Sequence, residues 1–181
     1  MDMAYKQLTG RSSNRPDSEH NQRITFDRNG TAAALDCIGY NQPITFGRDG
    51  TAKALNCTGI DFSEDGSQSW TSAPTAELDI QLPIARQDIF VQIEASPFII
   101  PDVVSAQQVF IFMGGSFIAY CTLKGHDVRT FPINRSVMSG RSTRMSLIIP
   151  TATSPSSLSL SEDMRELGIY LSAIVFKTTP L

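Results

Sequence analysis

Few residues of this chain are of the types that do chemistry, and their spacing decides what each can do. The single tryptophan, Trp70, offers an aromatic face that can stack on a sugar ring through the same apolar and C–H contacts that would bury it in a core. The plainer expectation is that Trp70 closes one end of a packed domain. Asp163 and Arg165 stand two apart, so an extended segment sets them on one side and a helical turn makes them diverge. A structural ion pair or loop anchor is expected of them before a ligand contact. Glu64 and Asp65 beside Gly66 suggest the carboxylate pair of glycoside hydrolysis, which needs two carboxylates across the scissile bond and one raised pKa. Adjacent carboxylates in a Ser/Gly loop read instead as a solvated turn.

The remaining candidates do not assemble into a catalytic set. His20 lies in a polar leading segment and His126 in the loop Lys124-Gly125-His126-Asp127, so neither has the paired spacing of metal ligands. His126-Asp127 with one of many serines is no triad signal, because a triad is defined by geometry. Gly114-Gly115 reads as a hairpin and not as a phosphate-cradling loop after a strand. Cys37, Cys57 and Cys121 cannot all pair within one chain, and buried free thiols are expected in preference to a Cys37–Cys57 bridge. The chain is therefore read as a binding or assembly module and not an enzyme, with no cofactor and no metal.

Composition narrows the partners. Hydrophobic residues make up 41% of 181, enough for one domain of ordinary size with a real core. With 15 basic and 18 acidic residues and no Lys/Arg run, neither nucleic acid nor an anionic membrane surface is an expected partner. The leading residues lack the charged-then-apolar pattern of an export signal, and no uncharged apolar stretch approaches the roughly 18 residues that span a bilayer. The expectation is a soluble protein made in the cytoplasm.

Stepping along the chain, residues 24–39 (ITFDRNGTAAALDCIG) are repeated by 44–59 (ITFGRDGTAKALNCTG) at an offset of twenty, with eleven of sixteen positions identical. In each copy a β-prone run, Ile24-Thr25-Phe26 or Ile44-Thr45-Phe46, meets Asn29-Gly30 or Asp49-Gly50, dipeptides that accept the positive φ of tight primed turns. Two stacked edge hairpins are expected, each returning through Thr31–Leu35 or Thr51–Leu55. Beyond them alternation and β-branched enrichment predict strands at 78–82, 89–93, 109–113, 116–122, 128–133, 145–149 and 168–176, with Gly114-Gly115 as a hairpin turn. Ser159 with Glu162 is expected to cap one short helical turn before the last strand. Closely spaced strands without helices between them predict an all-β fold, an antiparallel jelly-roll-like β-sandwich, carrying the duplicated hairpin and an extended arm. The domain reading is arm 1–22, first hairpin 23–43, and sandwich 44–181 with the second hairpin.

The order of elements resembles a family of β-sandwich modules found beside bacterial glycosyltransferases and in surface-polysaccharide proteins. The resemblance rests on Phe46, Gly50, Gly59-Ile60-Asp61-Phe62-Ser63-Glu64, Trp70-Thr71 and Ala76–Leu82, and on Ser161-Glu162-Asp163-Met164-Arg165-Glu166-Leu167-Gly168-Ile169 near the end. It covers about residues 44–176. Ile60 stands where the family has Trp, and Gly114-Gly115 where it has Asn-Gly. It implies a carbohydrate-binding accessory to a glycosyltransferase or capsule-synthesis system, with Trp70 as the candidate glycan contact. The arm is too polar to fold alone and is expected to order only by lying on a neighbour, with Tyr5, Arg11, Arg15 and Arg23 as its candidate assembly contacts. A sandwich with such an arm and no export signal is read first as a non-enzymatic protein of a phage or phage-like virion surface, a decoration, spike or fibre. Its expected partners are capsid or other virion proteins, a surface polysaccharide, and further copies of itself.

Overall fold

Runs with an apolar residue at every second position form strands because only that period puts one whole face into a core. The computed structural model describes residues 25–26, 32–33, 38–62, 66–138 and 142–179. The short strands come first: β1 (Thr25–Phe26), β2 (Ala32–Ala33), β3 (Pro43–Thr45), β4 (Cys57–Thr58), β5 (Ile60–Asp61) and β6 (Ser69–Thr71). The longer ones follow: β7 (Thr75–Ile80), β8 (Ile89–Pro97), β9 (Gln107–Met113), β10 (Ser116–Leu123), β11 (Asp127–Ile133), β12 (Thr143–Ile148) and β13 (Ile169–Lys177). The described residues contain no α-helix, only three short 3-10 turns.

The chain divides into two compact units, residues 1–35 and 36–181. In the first, β1 and β2 pair antiparallel with Thr25 opposite Ala33 and Phe26 opposite Ala32, the pairing expected of the first repeat copy. The arm 1–22 with its candidates Tyr5, Arg11 and Arg15, and likewise Arg23, lies outside the described residues.

The second unit is a jelly-roll-like antiparallel sandwich. One sheet runs β10-β9-β12-β7-β4 and the other β11-β8-β13-β6-β5, with β3 also paired to β13. Between them sit Ala76, Leu78, Ile80, Val109, Ile111, Met113, Met145 and Leu147 from the first sheet. Ile44, Ile89, Val91, Ile93, Ala95, Ile169, Leu171, Ile174 and Phe176 face them from the second. Each of these side chains other than Ala76 and Ala95 contributes about 1.5–3 kcal/mol by leaving water. The β9–β10 hairpin turns at Gly114-Gly115 with φ of 54° and 81°, the doubly positive geometry expected of a primed turn.

The second repeat copy departs from the expected hairpin. Ile44 and Phe46 are buried, and β3 spends its backbone on β13, with Thr45 opposite Ala173. Residues Thr51–Ala54 then form a 3-10 turn instead of a returning strand, and the chain crosses to the other sheet at β4. Thr45 and Thr51 exchange backbone N–H bonds to each other's hydroxyls at 3.0 and 3.1 Å, in place of a ladder. The left-handed residue is Gly47, at φ 91°, while Gly50 is extended at φ −71°. The sequence held the clue, since copy one has Asp27 where copy two has Gly47. Ser159 also departs from expectation. It does not start a helical turn but ends the one at Ser156–Leu158, in the left-handed region at φ 56°.

Candidate functional site

Two buried polar residues set the direction of the tryptophan. On β6 Ser69 and Thr71 both face the core, so Trp70 between them is turned to the outer face of the sheet. Inward polar groups are tolerable only when hydrogen-bonded, and both are. Gly47 N donates to Ser69 Oγ at 2.9 Å. Thr71 Oγ1 accepts from Ile169 N at 3.0 Å and donates to the Ile169 carbonyl at 3.3 Å. Trp70 therefore does not plug the sandwich.

On the outer face Trp70 stands opposite Tyr170 of β13, with ring centroids 4.5 Å apart and planes within 22°. Phe98 meets the indole edge-on at 5.8 Å. Such pairs are worth about 0.5–1.5 kcal/mol each beyond their buried area, and they hold the indole in one orientation. The row continues in both directions across the strands. Tyr170 faces Ser96 of β8, whose hydroxyl lies 3.3 Å from His126 Nδ1, while His126 Nε2 is 3.6 Å from Glu94. On the other side Trp70 faces Asp61 of β5, which pairs with Arg165.

Asp163 and Arg165 act as the expected ion pair and loop anchor. Arg165 donates from Nε and Nη2 to the Asp163 carboxylate, and its backbone N–H donates to Asp163 Oδ1 at 3.0 Å. The Arg165 side-chain bonds, then its backbone N–H, hold the Asp163 carboxyl down to about 2. Arg165 also reaches Asp61, tying the β13 approach loop to β5. His126 and Asp127 do not converge on one nucleophile, since Asp127 pairs with Arg129 at 2.6 Å. Glu64 and Asp65 lie outside the described residues. Cys57 and Cys121 are free thiols, and Cys37 lies outside the described residues. Among the described residues no three His, Cys, Asp or Glu side chains cluster as a metal site.

A cleft that sequence reasoning missed adjoins the aromatic row. β13 pairs with β6 over Tyr170–Leu171 and with β3 over Ala173–Val175, changing partner at the bulge between Leu171 and Ala173. Where the two short strands meet end to end, the sheet leaves an open cleft of about 590 Å³ lined by Thr45, Arg48, Asp49, Gly66, Ser67 and Ser172. Its walls are tied by Arg48 N donating to the Gly66 carbonyl at 2.9 Å, and Gln68 bonds the Ser172 hydroxyl. Gly66 packs so close that a Cβ there would sit 2.9 Å from the Tyr170 hydroxyl, which makes cleft and aromatic row continuous. Arg48 and Asp49 are exposed, and among the described residues their side chains have no partner. The arrangement offers flat apolar rings beside the exposed donors of Arg48 and acceptors of Asp49.

No family model matches the chain, and a search of curated proteins finds no match. Several solved structures are similar in fold. The chain is similar to a β-1,3-glucan-binding module of family CBM6 from Bacillus halodurans, at TM-score 0.47 and 9% identity over 79% of this chain and all (100%) of that one. It is also similar to the CBM36-1 domain of a xylanase from the hindgut metagenome of Trinervitermes trinervoides, at TM-score 0.46 and 8% identity over 77% of this chain and 98% of that one. A third is a family 35 carbohydrate-binding module from Clostridium thermocellum, at TM-score 0.44 and 6% identity over 76% and 99%.

Proposed function

We propose that the sandwich is a non-catalytic saccharide-binding module whose ligand lies across the outer face of the six-stranded sheet. A pyranose has an apolar C–H face and a rim of hydroxyls, so it needs a ring to lie against and fixed donors and acceptors beside it. Trp70, Tyr170 and Phe98 supply the rings. The Arg48 guanidinium supplies forked donors and Asp49 a paired acceptor for adjacent hydroxyls. The single observation that carries the reading is the continuity of that outward aromatic row with an open polar cleft carrying Arg48 and Asp49, whose side chains have no partner among the described residues. An open trough also suits a polymer passing through, where a small cofactor would be enclosed.

The sole tryptophan makes the test direct, because its emission reports this site and no other. Titration of the full chain with soluble neutral and uronate-containing polysaccharides is expected to shift Trp70 fluorescence and to retard the protein in affinity electrophoresis. Trp70→Ala should weaken binding about tenfold or more, since a lost stacking partner costs about 1.4 kcal/mol or above. Wild-type retardation by Trp70→Ala, or no response to any polysaccharide, rejects the reading. Carriage of the module on a virion surface, with capsid proteins as partners, is a finer proposal supported by the polar arm in the sequence. Its test is co-sedimentation of the full chain and of a chain lacking residues 1–22 with particles.

A further inference from the structure

The edge strands of a sheet carry unpaired backbone N–H and C=O groups, and soluble proteins blunt them with charge, proline, bulges or brevity. Most edges of this sandwich are blunted in those ways. β4 and β5 have two residues each, β3 has three and begins at Pro43, and β11 carries Asp127, Arg129 and Pro132. β10 differs. Over its eight residues, Ser116 to Leu123, it has no charge and no proline, and it forms the outer edge of the five-stranded sheet. Its one irregularity lies between Phe117 and Ala119, leaving Ala119–Leu123 in regular register.

The side chains beside that edge are also apolar. Phe117 is 57% exposed and Tyr120 46% exposed. Each rests on a ring of β9, Phe117 on Phe112 at 5.6 Å and Tyr120 on Phe110 at 4.9 Å. Four rings thus form a strip on the outer face next to a strand edge that has no partner among the described residues, the kind of surface that marks an interaction site.

We propose that β10 pairs antiparallel with β10 of a second copy of this chain about a two-fold axis, joining the two five-stranded sheets edge to edge. Charge decides the occupant. An isologous contact sets residues near the axis against their own kind, so any charge there meets a like charge. Ser116–Leu123 contains none. The nearest charge in sequence, Lys124, follows one end of the strand, so antiparallel pairing holds the two Lys124 side chains roughly 25–30 Å apart at about 3.4 Å per residue. That is well beyond a Debye length of about 8 Å. Across the axis the Phe117 and Tyr120 rings of both copies adjoin and cover one another. The inference concerns the sheet opposite the saccharide cleft and stands or falls separately from it. In such a dimer both six-stranded outer faces remain free.

The test is the mass of the full chain in solution. Light scattering after size exclusion is expected to give twice the mass of one chain, falling to one on dilution. Tyr120→Lys and Tyr120→Glu each set like charges across the axis and should be monomeric, with one cooperative melt lowered by loss of the dimer and of the Tyr120–Phe110 ring contact. Mixing the two variants should restore the doubled mass, which damage to the fold cannot do. In wild type, amide exchange over 116–123 should slow as concentration rises. A wild-type monomer at every concentration, a dimer that survives both substitutions, or variants that stay apart when mixed overturns the proposal.

Discussion

Replacing Gly47 with alanine tests whether the end of β3 closes against the loop entering β6, the contact that forms the cleft. Gly47 and Gly115 both sit in the left-handed region, at φ 91° and 81°. An L-residue pays about 1–2 kcal/mol there whatever surrounds it. At Gly115 a new Cβ meets nothing within 4 Å, so that strain is the whole effect. At Gly47 it would lie 2.2 Å from the Gly66 carbonyl oxygen, 2.5 Å from Ser67 C and 2.7 Å from Gln68 N, all backbone atoms that cannot swing aside. Relief requires the two segments to separate by roughly 1 Å, since ordinary contact begins near 3.4 Å. That motion breaks the Arg48–Gly66 bond and the Gly47–Ser69 bond, both 2.9 Å, and strands a fully buried serine hydroxyl. With about 0.5–1.5 kcal/mol per bond and 1–3 for the orphaned hydroxyl, Gly47→Ala should cost about 3–8 kcal/mol. Gly115→Ala should cost about 1–2. Urea unfolding followed by Trp70 emission gives both values, and the difference of about 2–6 kcal/mol should appear as roughly 4–24 °C in melting temperature at about 2–4 °C per kcal/mol. Equal losses in the two variants would refute the close approach, and with it the cleft.

Two further perturbations address the charged and thiol groups. The Asp163 carboxyl is held near 2 in the folded chain against an ordinary 3.8, so its pairing with Arg165 stabilises the fold above about pH 4 and is lost as pH falls through 2. Asp163→Asn should therefore be less stable than wild type at neutral pH, with the gap closing in melts taken toward pH 2. A gap independent of pH would show that the pair contributes nothing to folding. Burial, with a smaller push from Asp79, raises the Cys57 thiol to about 11, and burial raises Cys121 as well. At about pH 8 both should resist iodoacetamide until denaturant is added, because the thiolate is the reacting form. Mass mapping checks this, and rapid native labelling of Cys57 contradicts it.

Features that depend on neighbours in sequence were legible in advance. The alternation in Leu78–Leu82 and Ile89–Ile93 places strands because a period of two needs no knowledge of the partner, and Gly114-Gly115 marks its turn because positive φ is a property of the residue. The repeat shows where such reasoning ends. Two copies of one phrase, eleven of sixteen positions alike, take different paths because Ile44 and Phe46 of the second find a core and a free edge of β13. What the chain alone determined is which residues face inward together. Only the tertiary structure decided that Ser69 and Thr71 turn Trp70 outward, that Arg165 reaches Asp61 across 104 residues, and that a change of partner along β13 opens a cleft. Side-chain period is written in each strand, whereas register, bulge position and the meeting of two strand ends depend on which distant strand lies alongside and how its buried face matches.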